Sequence, residues 1–311
     1  TQIALSGRNI AGADDADHSR VEAETTTTPQ NGARVVSVHR GGDPFLVGRV
    51  LEARAVAGGE RAIADGLADL QRVVGDPADG GSPAARIGAL WAALLDFATA
   101  PADAVLGLEV VRHAKEVARS LDEGAGVVTR VRGEADAALA EGASALRSML
   151  SDFETLNERI MTGTAVGRDV TTLLDRRDAL VGRIAELVGV QTMTRENGDM
   201  ALFTDGGVTL FDRTARTIAF DPTPTYAPGT SGGELVIDGV AVTGPDAPMP
   251  LGAGRLAGLA TLRDEIAPTL ERQLDEIARG LIAAFREGTN PGLFTWAGGT
   301  VPAGPTAGVA D

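Results

Sequence analysis

Carboxylates that share one helix face are what acid/base catalysis uses, and Asp175 and Asp178 meet that condition in the run Asp175-Arg176-Arg177-Asp178. Residues three apart on a helix lie side by side. Each of these aspartates has an arginine as its sequence neighbour, and the segment around them is otherwise an amphipathic core helix. We therefore read Asp175, Arg176, Arg177 and Asp178 as a structural ion-pair cluster between neighbouring helices, not a catalytic dyad. The three histidines, His18, His39 and His113, have no carboxylate or second histidine at metal-ligand spacing, and read as surface or half-buried residues. Gly-x-Ser-x-Gly, Gly-x-x-x-x-Gly-Lys-Ser/Thr and His-Glu-x-x-His are all missing. Gly163 to Gly167 reads as a helix connector. The sequence thus points to no enzyme, no cofactor and no metal site.

Composition narrows the classes further. A 43% hydrophobic, 23% charged chain can bury a core, and with only 4% aromatic residues that core must be built from Leu, Val, Ile and Ala. The net charge of −15 opposes binding to phosphate backbones, so nucleic acid is not an expected partner. A single lysine, Lys115, leaves no polybasic segment for an anionic membrane surface. The absence of cysteine removes disulfides, thiolate catalysis and Cys-type zinc sites. No signal-peptide pattern opens the chain, which starts at Thr1 and ends in a Gly/Pro/Ala stretch. One or both ends read as cut.

Stepping through the periodicities, Ile3 to Ile10 read as a short helix and the acidic and Thr-rich stretch after it as an extended arm. Ser82-Pro83 opens a helix carrying Ile87, Leu90, Trp91, Leu94, Leu95 and Ala98 on one face. From Leu121 a 3.5-residue seam runs through Ala125, Val128, Arg132, Ala135, Leu139, Gly142, Leu146, Met149, Phe153, Leu156 and Ile160, and backwards through Ala118, Ala114, Val111, Gly107 and Ala104. That is the coiled-coil period and calls for a partner helix. Unbroken at Gly124, Gly126 and Gly133, such a helix would be about 87 Å long. A compact chain of this size is about 50 Å across, which favours a rod. A helix over 168–188 follows, then short strands around Asn197-Gly198 and Asp238-Gly239, both type I′ hairpin signals. The apolar stripe from Leu256 to Phe285 returns the chain to helix, with a kink expected at Pro268.

The predicted fold class is α+β, mainly α: an elongated helical bundle or coiled-coil rod with an inserted small antiparallel β domain. Residues 1–43 form an N-terminal helix and arm, 44–190 the helical rod, 191–251 the β domain, 252–290 the returning helix, and 291–311 a loop or the start of a cut segment.

Several local patterns, in order, resemble the bacterial flagellar hook-associated protein 1 family, the first junction protein between hook and filament. Asn9-Ile10-Ala11 and Ser19-Arg20 match the segment shared by flagellar axial proteins, while Gly12 and Asp15-Ala16-Asp17-His18 depart from it. Leu173-Leu174-Asp175-Arg176-Arg177-Asp178 is similar to that family's Leu-Leu-Asp-Gln-Arg-Asp segment. Gly254-Arg255-Leu256-Ala257-Gly258-Leu259, with Leu274-Asp275-Glu276-Ile277-Ala278, resembles its return helix. The resemblance implies an extracellular structural subunit of the flagellum, exported without a cleaved signal through the type III apparatus. It implies as partners copies of the chain in a ring, hook protein, the second junction protein and an export chaperone, the last through a C-terminal region missing here. Under that reading Leu5, Asn9, Ile10 and Arg20 are candidate subunit-interface residues. The alternatives are a flagellin-like filament subunit and a helical ligand-binding or sensor scaffold.

Overall fold

The computed structural model describes residues 2–14, 18–27, 33–75, 80–227, 229–286 and 292–295. The chain is mainly helical, with small antiparallel sheets, and divides into two compact units.

The first unit comprises residues 1–62, 137–222 and 233–260. Helix α1 (Gln2–Ala11) leads into a hairpin of β1 (Val21–Thr27) and β2 (Ala33–Arg40), so the segment expected as an extended arm is a paired ribbon, strand satisfying strand. The second half of α4 (Ala104–Ala165) and all of α5 (Thr171–Leu187) follow. The carboxylate of Asp169 takes the Thr171 N–H at 2.9 Å just ahead of α5, whose N-cap Val170 has no side-chain cap bond. A four-stranded meander then forms from β3 (Val190–Thr194), β4 (Met200–Thr204), β5 (Thr209–Asp212) and β6 (Thr214–Ala215). A three-stranded sheet of β7 (Ile218–Ala219), β8 (Val236–Ile237) and β9 (Val240–Ala241) follows it.

The two hairpin signals behave differently. Asp238 and Gly239 have φ of 51° and 81°, both in the left-handed region that a type I′ turn demands. At Asn197-Gly198 only Gly198 has positive φ, 81°, and the Arg195 N–H bonds the Asp199 carbonyl at 2.7 Å. The loop is therefore longer than a two-residue turn, because the Asn197 side chain instead accepts the Asp199 N–H at 3.1 Å. Helix α2 (Pro44–Val74) and helix α6 (Arg255–Thr261) approach backbone to backbone in this unit: a Cβ on Gly258 would lie 2.4 Å from the Gly59 carbonyl oxygen.

The second unit comprises residues 63–136, 223–232 and 261–311. Helix α3 (Pro83–Thr99) starts as its sequence dictates, Ser82 Oγ accepting the Ala85 N–H at 3.2 Å with Pro83 in the first turn. The first half of α4, a π turn at Leu262–Ile266 and helix α7 (Ala267–Ala284) complete it. At Pro268 the helix does not break: the Ala267 N–H reaches back five residues to the Leu262 carbonyl, and the widened turn accommodates the missing donor.

Helix α4 runs unbroken for 62 residues through Gly124, Gly126 and Gly133, about 93 Å at 1.5 Å per residue. Within the first unit Leu139, Leu146, Phe153 and Ile160 of the expected seam are fully buried. Within the second, Leu121, Val128 and Ala135 are buried, but Val111 is 39% exposed and Ala118 is exposed. The buried stripe there continues through Val117, Ala114 and Val110 instead. Back from Leu121 the buried residues step by four, three and four where the expected register steps by three, four and three, so Ala114 is common to both and Val117 and Val110 replace Ala118 and Val111.

Candidate assembly surface and its polar clusters

Of the four candidate interface residues, two face inward and two outward. Leu5 is half-buried, and Asn9 grips the backbone of Val21 from both sides: Nδ2 donates to the carbonyl at 2.8 Å and Oδ1 accepts the N–H at 2.9 Å. That pair fastens α1 to β1. Ile10 is 76% exposed, and Ile3, one heptad earlier on the same face, is 89% exposed. Arg20 is exposed and pairs with Glu22 at 3.3 Å. The first turns of α2 add Phe45 and Leu46, at 86% and 62% exposure, which the sequence analysis did not single out.

The ion-pair candidates divide between two sides of α5. Asp175 and Asp178 both meet Arg40, at 2.9 and 2.6 Å, and His18 Nδ1 lies 3.6 Å from Asp175. Both carboxylates thus face a guanidinium on β2. Arg176 points to solvent. Arg177 is buried and donates to the Gly198 carbonyl at 2.6 Å and to Asn157 Oδ1 at 3.3 Å. Burial pulls its guanidinium below the usual arginine range, against the pull of Asp178 and Asp199 and with the push of Arg40. Asn157 continues the chain of bonds, donating to Asp199 Oδ1 at 2.7 Å and accepting the Met200 N–H at 3.1 Å. Asp199 also pairs with Arg195, which reaches Asp212 at 2.9 Å. Burial alone would raise the Asp199 carboxyl, but the bonds from Asn157 and Arg195 outweigh it and hold the group below the usual carboxylate range.

A second network lies wholly in the other unit. Arg263, on the π turn, is fully buried, donating from Nη1 to Asp136 Oδ1 at 2.5 Å and from Nη2 to Asp264 at 2.8 Å. Asp136 also accepts the Tyr226 hydroxyl at 2.7 Å and the Thr223 N–H at 2.7 Å. Arg132, the one charge in the predicted seam, donates to the carbonyls of Arg263 at 3.1 Å and Thr230 at 2.5 Å. Its guanidinium sits 4.4 Å from the Tyr226 ring centroid. Burial first, then the bond to Asp136, pushes the Tyr226 phenol up. These bonds tie the loop 223–232 to α4 and the π turn. The carboxylates of Asp136, Asp178, Asp199, Asp212 and Asp264 each accept bonds from donors, an arrangement that fixes backbone in place.

Among the described residues, no cluster of three or more His, Asp or Glu could hold a metal ion, and no helix is long and apolar enough to cross a membrane. The side chain of His39 lies outside the described residues. The sequence profile described as "Flagellar hook-associated protein FlgK helical domain" matches residues 67–298, well over half of the 311-residue chain. The chain belongs to the FlgK family. Flagellar hook-associated protein 1 of Salmonella typhimurium is 28% identical over 151 residues, which is 48% of this chain and 27% of the relative. The Escherichia coli K12 protein of the same name is 27% identical over 160 residues, 47% of this chain and 27% of its own length. The aligned part of the chain thus spans little more than a quarter of these relatives. The structure of the flagellar hook junction protein FlgK from Burkholderia pseudomallei shares the fold, with a TM-score of 0.62 over 76% of this chain and 43% of that one, at 23% identity.

The FlgK match takes in Asp175 to Asp178 and the Arg132, Asp136, Tyr226 and Arg263 network, whereas Leu5, Asn9, Ile10 and Arg20 precede it. The network was signalled in sequence by Arg132 alone, as the charged break in an apolar stripe. Nothing marked its partners, which lie as far as 131 residues away in the chain.

Proposed function

We propose that this FlgK-family chain is a structural subunit of the hook–filament junction of the bacterial flagellum, working by packing against copies of itself, hook protein and the second junction protein. The observation that carries the reading is the outward apolar set at the start of the chain. Ile3, Ile10, Phe45 and Leu46 are all more than 60% exposed, and a monomer gains nothing from such residues standing outward on α1 and the start of α2. Residues that engage a neighbour explain them. Leu5, Asn9 and Arg20 belong to the same assembly surface, Asn9 by holding α1 at its angle to the hairpin. The junction lies outside the cell, and the subunit reaches it through type III export. An export chaperone is a further partner under this reading.

The test uses isolated hooks with exposed distal ends. Tagged chain should decorate those ends, seen by immunogold labelling, and Ile10→Asp with Phe45→Asp should lower the decoration at least about tenfold, since each charge must be desolvated at the contact. Equal decoration by parent and variant would refute the assigned surface, and no decoration by the parent would refute the function.

A further inference from the structure

The N-terminal module, α1 with the β1–β2 hairpin, is held together internally and held to α5 by charge. Internally, Asn9 bonds both backbone groups of Val21, which is 2% exposed, and the Gly41 N–H bonds the Arg20 carbonyl at 2.8 Å. Toward α5 and the turn before it, the described side chains make ion pairs. Arg8 pairs with Asp169 at 3.3 Å, His18 approaches Asp175 at 3.6 Å, and Arg40 meets Asp175 and Asp178. Of the large apolar residues of α1, Ile3 and Ile10 point outward and Leu5 is half-buried.

The seat is also incompletely bonded. Nη2 of Arg40 serves Ser19 Oγ and Asp178 at 2.6 Å each while standing 2.9 Å from Asp175, three partners for two protons. Buried polar atoms without a hydrogen bond collect here: Arg40 Nε, Asp175 Oδ1, His18 Nε2 and Arg8 Nη2. Such atoms gain hydrogen bonds to water when the seat opens, so opening costs less than the ion pairs suggest. Gly41 and Gly42, between β2 and the Asp43 carboxylate that caps α2, supply a hinge.

We propose that α1 and the β1–β2 hairpin form a strap that swings as one body about Gly41-Gly42, latched by Arg8, His18 and Arg40 to Asp169 just before α5 and to Asp175 and Asp178 on it, and released by salt without unfolding the helices. This rests on the geometry alone and does not depend on the assembly role. Screening carries the prediction: the Debye length falls from about 14 Å at 0.05 M to about 3 Å at 1 M salt, acting first on the open Arg8–Asp169 pair and less on the half-buried pairs of Arg40.

The chain has no cysteine, so Ser6→Cys on α1 and Arg183→Cys on α5, both at exposed positions, accept spin labels cleanly. Pulsed electron resonance at low salt should give one narrow distance. At about 1 M NaCl, and at low salt in Arg40→Gln or Arg8→Gln/Arg40→Gln, that narrow population should fall at least about fivefold, with far-ultraviolet circular dichroism unchanged. Arg279→Gln, which removes an exposed pair with Glu276 in the other unit, should leave the distance as it was. A narrow distance persisting at high salt and in the double variant would overturn the latch. Broadening accompanied by loss of helical signal would overturn it too, since that reports unfolding.

Discussion

Replacing Arg263 by methionine removes the guanidinium around which the network of the second unit is built. Asp136, 2% exposed, would keep the Thr223 N–H and the Tyr226 hydroxyl but lose its guanidinium, and the carbonyl of residue 263 would still hold Arg132. Removing one partner of a buried ion pair costs about 3–5 kcal/mol, because the surviving charge stays desolvated without compensation. Against a total stability of about 5–15 kcal/mol that is a large fraction. Pairing the change with Asp136→Leu removes the stranded charge as well, and buried pairs replaced by apolar groups of similar volume are often neutral or better. The coupling between the two substitutions should therefore be favourable by about 2–3 kcal/mol, as expected for residues in direct contact. Urea unfolding followed by circular dichroism gives the free energies, and hydrogen exchange over residues 104–136 and 262–284 locates the loss in this unit. If the double variant loses as much as the two single variants together, Arg263 and Asp136 do not act as a pair and the network argument is wrong.

Leu146→Asp puts a carboxylate at a position with no exposure and should cost at least about 4 kcal/mol, lowering the melting temperature by 10 °C or so; a variant that melts like the parent would show that the α4 stripe is misplaced. Gly258→Ala drives a methyl to 2.4 Å from the Gly59 carbonyl oxygen, and the backbone shift it forces should cost about 1–3 kcal/mol in urea unfolding. The Asp199 carboxyl sits below its unfolded range, so its contribution to stability is present above about pH 4 and lost as pH falls through the depressed folded value. Asp199→Asn should accordingly flatten the acid limb of the stability curve below pH 4, and an unchanged limb would contradict the assignment.

The elements were legible where a period repeats. Ser82-Pro83 announced α3, Asp238-Gly239 gave a true type I′ turn, and the stripe of α4 from Leu121 onward lay where its spacing placed it. Helix α2 was harder to see, because its buried positions include Ala55 and Ala62 while Phe45, Leu46 and Val56 stand in solvent, so hydrophobicity and burial are out of step. Before Leu121 the buried residues of α4 step first by four, so Val117 and Val110 stand where a count beginning with three placed Ala118 and Val111. The polar networks were invisible as networks: Arg263 and Asp136 are 127 residues apart, and no periodicity relates a π turn to the middle of another helix. The family resemblance, by contrast, lay in contiguous strings such as Leu173 to Asp178, and strings survive without knowledge of the fold.

The junction role is tested most directly by locating the chain in a flagellated cell that lacks its own hook-associated protein 1. Expressed there with an epitope tag and viewed by immunogold electron microscopy, it should mark a single narrow band where the hook meets the filament. Label running along the filament would make it a filament subunit, and label absent from the axial structure altogether would contradict the assembly role.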